Sequence, residues 1–459
     1  MDIMRLTLFR PWLLGAALLL PLTSQAQSSN TTEFKLDNGM KVLVQTDHRA
    51  PVAITQVWYK VGSANEHSGI TGLSHVLEHM MFKGTKKVPA GRFSAIVSEN
   101  GGRNNAFTNR DYTGYYEFMG SDRLEIAFQL ESDRMRELNL LPEEAKKEIQ
   151  VVKEERFMRT DDKPESLTYE RFNALAFLNG PYHSPVIGWQ TDLDSLKMED
   201  LHRWYDAWYQ PNNATLVVVG DVEPEQVLAL AKKYFGAIPA APTPTSKPRD
   251  ETPQRGERRV TIHAPAKVPY LIIGYPVPVL NTAKVKWEPY ALDVLASILD
   301  GGDSSRFSSE LVRKKQIAAV AGAGYSLASK YQGLFLIDGN PTEAHTTAEL
   351  EKAFDEQIER LKTELVSHEE LARIKAQVIA GEVFQRDSVS HMANQLGMLE
   401  TVGVGWKLVD EYEAKIRAVT AEQVREVARK YFIPTHKTVA ELAPDAIDAS
   451  PADKGKPAS

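Results

Sequence analysis

Cysteine is absent from all 459 residues. No disulfide can form and no thiolate can bind a metal. The fold must rest on packing, and any zinc site on histidine and carboxylate. Histidine is scarce, 11 in all, so a cluster of it is informative. An excess of basic charge is also missing. The formal net charge is −7 with both signs interspersed, which excludes the basic stripe of a nucleic-acid binder. Long apolar runs are missing too, apart from "PWLLGAALLLPL" at residues 11–22. That run follows Arg5 and Arg10, is short for a span and is interrupted by Pro21. With "SQA" behind it, residues 1–26 read as a secretory signal peptide cut after Ala26. The expectation is an exported chain, periplasmic in a bacterium, with no stable membrane anchor.

What is present is an ordinary globular composition, 42% hydrophobic and 25% charged, at a length suited to two domains. "FKLDNGMKVLVQTD" reads as a hairpin around an Asn-Gly turn. "PVAITQVWYKVGS" reads as a strand, "TGLSHVLEHMMF" as a helix and "RFSAIVSENGG" as a short helix closed by glycine. "RNNAFTNRDYTGYYEFM" reads as two strands. Ser121 is placed as the N-cap of the next helix, and Pro142 opens a long one reaching Thr160. "ATLVVVGDV" is a strand followed by the helix "EPEQVLALAKKYF".

The Pro-rich polar stretch 239–254 is the best boundary in the chain. It gives a first domain at 27–240, a linker at 241–256, a second domain at 257–444 and a disordered tail at 445–459. A weak repeat crosses the linker. Aligning Pro211 with Pro434 places Leu201 on Val424, Trp208 on Tyr431, Thr215 on Thr438 and Leu216 on Val439 without a gap. The simplest account is two copies of one α+β domain.

The stretch "HVLEH" sets His75, Glu78 and His79 at i, i+3 and i+4, on one face of a helix. A solvated surface pair is the plainer reading, but "HVLEHMMF" is apolar for a surface and buried histidines need partners. His-x-x-Glu-His is a known inverted zinc-peptidase arrangement. A catalytic zinc needs a third protein ligand, here His, Asp or Glu from another element. In the helix from Pro142, Glu148 and Glu155 are seven residues apart and share a face within about 20°. Ile149 and Val152 lie on or beside that face, whereas Glu154 aligns with Lys147, Val151 and Met158. The face favours Glu155 over Glu154, although a merely charged helix with ion pairs has the same spacing.

Here the chain resembles the inverted zincins of the pitrilysin, insulin-degrading enzyme and mitochondrial processing peptidase family. The resemblance covers most of the mature chain and is strongest at 34–240. The family's third ligand lies 76 residues after the second His in a Val-x-x-x-Glu context, which is Glu155 in "VVKEE". Its auxiliary carboxylate falls on Glu148, seven residues earlier. "GGRNNAFTN" matches the family's Gly-x-x-Asn-Ala-x-Thr strand beside the cleft, which implies Asn105, Ala106 and Thr108 as substrate-binding residues. "PYHSPVIG" at 181–188 and "ILDGGDSSRF" at 298–307 are similar to family signatures.

The resemblance implies two homologous domains, each a mostly antiparallel sheet packed with helices, forming half of a clamshell. It implies a Zn2+-dependent endopeptidase that hydrolyses unfolded, extended peptides. His75, His79 and Glu155 hold the metal. Glu78 acts as the base toward water, and Glu148 joins it in the catalytic set by orienting a ligand. One departure stands out. Where the longer members of the family and some bacterial pairs carry, after a Gly-Leu in the second half, an Arg and seven residues on a Tyr, this chain has Phe335 and Thr342. That implies a homodimer, or a heterodimer with a related non-catalytic subunit, as partner. It also leaves an alternative, a catalytically weak or inactive peptide-binding subunit.

Overall fold

The computed structural model describes residues 30–446 except 246 and 248. The expected signal peptide lies outside the described residues, as does the tail from 447 onward. The chain is α+β, with two sheets covered by helices.

The first sheet is built from β1 (Thr31–Lys35), β2 (Lys41–Thr46), β3 (Val52–Tyr59), β4 (Arg103–Thr108), β5 (Thr113–Gly120) and β6 (Ala214–Gly220). Its order is β1-β2-β6-β3-β5-β4. The hairpin expected around Asn38-Gly39 is the β1–β2 pair. Helices of this half are α1 (Leu73–Met80), α2 (Arg92–Glu99), α3 (Leu124–Glu137), α4 (Pro142–Arg156), α5 (Pro164–Ala176), α6 (Gln190–Ser195), α7 (Met198–Trp208) and α8 (Pro224–Tyr234). Ser121 does not cap α3. It opens a short 3-10 turn, its hydroxyl donates to Asp221 at 3.3 Å, and the helix begins three residues later. The local cap signal lost to a partner a hundred residues away in sequence.

The second sheet contains β7 (Arg258–Pro265), β8 (Tyr270–Val277), β9 (Ala318–Gly324), β10 (Gly333–Pro341) and β11 (Thr438–Asp445). Its order is β7-β11-β8-β10-β9. Asp445, assigned from composition to a disordered tail, is the last residue of β11 and pairs with Pro265. The helices here are α9 (Glu288–Asp300), α10 (Thr347–Thr363), α11 (His368–Gln385), α12 (Val389–Thr401), α13 (Leu408–Ala418) and α14 (Ala421–Tyr431).

Strands β2 to β6 and β7 to β11 follow one plan. The last strand of each set lies parallel to the first and antiparallel to the second. The two closing helices end at Trp208 and Tyr431, the pair that the Pro211/Pro434 alignment matches.

One face of each sheet packs on the helices of its own half, forming two large cores. The other face is covered by a helix from the opposite half. On the first sheet, Leu43, Ile54, Trp58, Val217 and Val219 meet Met392, Ala393 and Leu396 of α12. On the second, Ile272 and Ala440 meet Phe172 and Ala176 of α5. A strand buried on both faces reads as a continuous apolar run, which explains "ATLVVVG" in β6. The later part of the linker is tied to both halves. Glu251 accepts backbone N–H groups of Leu178, Asn179 and Gly180, and the Gln254 amide donates to the Lys437 carbonyl.

Candidate metal centre

Helix α1 is short and enters from Gly72 at φ 87°, a left-handed conformation that glycine adopts without a side-chain clash. A Cβ there would meet the Ile187 carbonyl at 2.6 Å, and one on Gly188 would meet the Thr71 carbonyl at 2.5 Å. The "PYHSPVIG" stretch therefore matters as a close backbone approach that seats the start of α1. Two carboxylates complete the seat. Glu66 accepts the N–H groups of Gly72 and Ser74 at 2.8 and 2.7 Å, serving donors that a helix N-terminus leaves unpaired. Asp192 accepts the Thr71 hydroxyl at 2.6 Å and the N–H groups of Gly69 and Thr71. Burial pushes the Glu66 carboxyl up to about 7, against those two backbone donors, which favour the charged form.

Leu73, Val76, Leu77 and Met80 bury one side of α1 in the first core. This turns His75, Glu78 and His79 toward α4. There Glu155 Oε2 lies 3.8 Å from His75 Nε2 and 3.5 Å from His79 Nε2. One ligand atom from each of His75, His79 and Glu155 falls within 4.8 Å of the others. Two ligands held at zinc–ligand lengths around a tetrahedral ion sit about 3.4 Å apart, so these side chains fit zinc with small adjustments. His75 is held neutral, its pKa lowered to about 3 by burial, then by His79 and Arg159. A neutral imidazole is the form that binds a metal. Its other ring nitrogen, Nδ1, is buried without a hydrogen-bond partner.

The neighbours of these groups are specific. His79 Nδ1 is 3.1 Å from Glu148 Oε2, and the Lys83 ammonium sits on Oε1 of the same carboxylate. With both oxygens engaged, Glu148 orients His79 and is not placed as a ligand. Glu154, one residue from Glu155, is exposed. Arg159 Nη1 reaches Glu155 Oε1 at 2.5 Å. Glu78 is largely enclosed and its carboxyl is raised by burial, opposed by a hydrogen bond from Thr108 and by the charge of His79. Thr108 thus touches Glu78. Asn105 is exposed on β4 and accepts the N–H of Ala106, which packs partly on the first core. Among the described residues β4 pairs only with β5, which leaves its outer edge unpaired there.

Phe335 and Thr342 are far from this chemistry in character. Phe335 is fully buried against Tyr275, Tyr325 and Phe432. Thr342 donates its hydroxyl to the Gln316 carbonyl. Lys83, Arg159, Glu66 and Asp192 escaped the reading of the sequence. Arg159 lies four residues after Glu155, so helical spacing carried a signal for it, whereas Lys83 lies beyond the end of α1 and meets Glu148 only through the fold.

A sequence profile described as insulinase (peptidase family M16) matches residues 41–189, and one described as peptidase M16 inactive domain matches 195–378. The chain belongs to peptidase family M16. A relative named zinc protease PqqE, from Helicobacter pylori (strain ATCC 700392 / 26695), is 34% identical over 418 residues. The match covers 89% of this chain and 92% of the relative. An uncharacterized zinc protease, YmxG of Bacillus subtilis (strain 168), is 26% identical over 87% of this chain and 95% of its own. Among solved structures, a protease from Helicobacter pylori matches with a TM-score of 0.86 at 31% identity, over 91% of this chain and all of that one. The periplasmic protease PqqL from Escherichia coli shares the fold at a TM-score of 0.77 and 19% identity, with 49% of its length matched. The M16 chain described here therefore has relatives whose names carry both zinc and proteolysis. Among the described residues, no helix is long and apolar enough to cross a membrane.

Proposed function

We propose that this M16 chain is a zinc-dependent endopeptidase acting on unfolded peptides outside the cytoplasm, after removal of its leader at Ala26. The observation that carries the reading is the convergence of His75, His79 and Glu155, with Glu78 alongside. When bound, zinc supplies a Lewis acid that acidifies water and polarises a carbonyl. Glu78 takes a proton from the attacking water and hands it to the leaving amine. Its enclosure favours holding that proton between the two transfers, and the Thr108 hydroxyl orients the carboxylate. Glu148 holds His79 in place. A peptide adds in extended form along the free edge of β4, beside Asn105, Ala106 and Thr108, using backbone hydrogen bonds.

The substitution Glu78→Gln tests the division of roles. Zinc content stays stoichiometric while cleavage of a quenched peptide library falls by about a hundred-fold or more. Near-normal turnover of that variant removes Glu78 from the role of base.

A second reading is supported by Phe335, which is packed into the second core and cannot reach a substrate. On that reading the chain binds peptide and cleaves weakly until a dimer partner, a second copy or a related subunit, supplies the missing donors. Cleavage by the purified chain, with and without candidate partners and with mass measured by light scattering, separates the two.

A further inference from the structure

Glu155 divides its two oxygens. Oε2 faces the ring nitrogens of His75 and His79, at 3.8 and 3.5 Å, and Oε1 is taken by Arg159 Nη1 at 2.5 Å. The same division occurs one helical repeat earlier, where Glu148 gives Oε2 to His79 and Oε1 to Lys83. We propose that Arg159 is a positioning residue that confines Glu155 to one-oxygen attachment and so keeps a coordination position open for water. The inference rests on the metal reading given above.

The backbone around Arg159 is built for this. α4 does not stop at Arg156 but passes into a π-helical turn over Phe157–Asp161, a wider winding often found at functional sites. That turn is clamped from below. The buried Arg156 guanidinium donates to both oxygens of Glu170, to Asp161 and to the Gly188 carbonyl. The clamp joins the end of α4 to α5 and to the loop that seats α1. Arg159 itself is 74% exposed, so it takes no part in the core, and its charge also acts on His75 and Glu78.

The chemistry follows from what a carboxylate does when both oxygens are free. It can chelate through the pair, raising the coordination number and crowding the position that a catalytic zinc reserves for water. A guanidinium on the outer oxygen prevents this by direct occupation. Its loss would leave the metal bound but the site closed to water.

Cobalt(II) in place of zinc in the full mature chain reads coordination number directly. Wild type is expected to show the intense visible band of a four-coordinate ion. Arg159→Met should weaken the band by about half or more, as for five ligands. Arg159→Lys should restore it, because an ammonium also occupies Oε1. Zinc retention against a chelator should not fall in Arg159→Met, while kcat falls and KM changes little. An unchanged cobalt band in Arg159→Met overturns the inference. So does a weakened band that Arg159→Lys leaves weak, since the charge would then be irrelevant. A wild-type chain that binds no cobalt overturns the metal reading itself, and this inference with it.

Discussion

The two halves share a strand plan and differ in what the helix after the second strand carries. In the first half that helix is α1, eight residues long, with two histidines and a glutamate on the face toward α4. In the second it is α9, thirteen residues long and buried along most of its length, from Tyr290 to Leu299. Among the described residues, the His75, His79 and Glu155 group is the one cluster with metal-binding geometry. A single architecture thus carries a metal-binding geometry in one copy and packing in the other. The difference lies in side chains on one helix and its neighbour, not in topology.

The halves also lend each other a helix, and here too they solve one problem in opposite ways. On the first sheet the large residue is on the strand, Trp58 in β3, and the small one is Gly397 in α12. On the second the small residue is on the strand, Gly274 in β8, and the large one is Phe172 in α5. A ring enters the space left by a missing Cβ in both places. The lesson is that each half has its own core but neither closes its sheet alone.

The comparison is sharpened most by histidine substitutions. Replacing His75 or His79 with Ala should abolish stoichiometric zinc, whereas replacing His345, His368, His391 or His436 of the second half should leave it bound. Metal analysis after dialysis decides this, and zinc loss on a second-half substitution would break the asymmetry. Next come Gly397→Ala and Gly274→Ala. Each forces a methyl group into an aromatic ring and should cost about 1 to 3 kcal/mol, read from denaturant midpoints. A large effect at one site alone would mean that the two exchanged helices are not equivalent braces.

A smaller effect concerns pH and the seat of α1. The Glu66 carboxyl is raised to about 7 from a usual value of 4.5 by burial. Its folded pKa lies above the unfolded one, so the folded state holds the proton more tightly. Stability from this group is greatest below 4.5 and declines as pH rises to about 7. The stability difference between wild type and Glu66→Gln should vary across that window and be flat outside it. A difference independent of pH would show that folding leaves the Glu66 pKa unshifted. The smallest effect is Glu154→Ala, which should stay within about 0.5 kcal/mol and keep zinc, because Glu154 is exposed. Metal loss there would undo the distinction between the two adjacent glutamates.

Much of the fold was legible because its signals are local and periodic. The Asn-Gly turn marks the first hairpin, Pro142 starts α4, and the apolar run 214–220 is a strand. The matched Pro211 and Pro434 revealed the repeat because the last strand of each sheet is preceded by a helix and a short turn. Ser121 misled because a hydroxyl before a helix reads as a cap wherever no distant acceptor is known. Asp445 misled because composition does not see a neighbouring strand.

Within the site, the sequence by itself determined which groups can meet. The spacing of His75, Glu78 and His79 places them on one helical face, and the seven residues between Glu148 and Glu155 place both on one face of another. Helical geometry is set by the backbone and holds wherever the helix lies. Only the tertiary structure decided what each atom faces. It turned one oxygen of Glu155 to the histidines and the other to Arg159, set Lys83 on Glu148, and seated α1 on Glu66 and Asp192. It also exchanged α5 and α12 between the sheets. Those contacts join residues far apart in the chain, or choose between the two ends of one side chain, and no local periodicity encodes that choice.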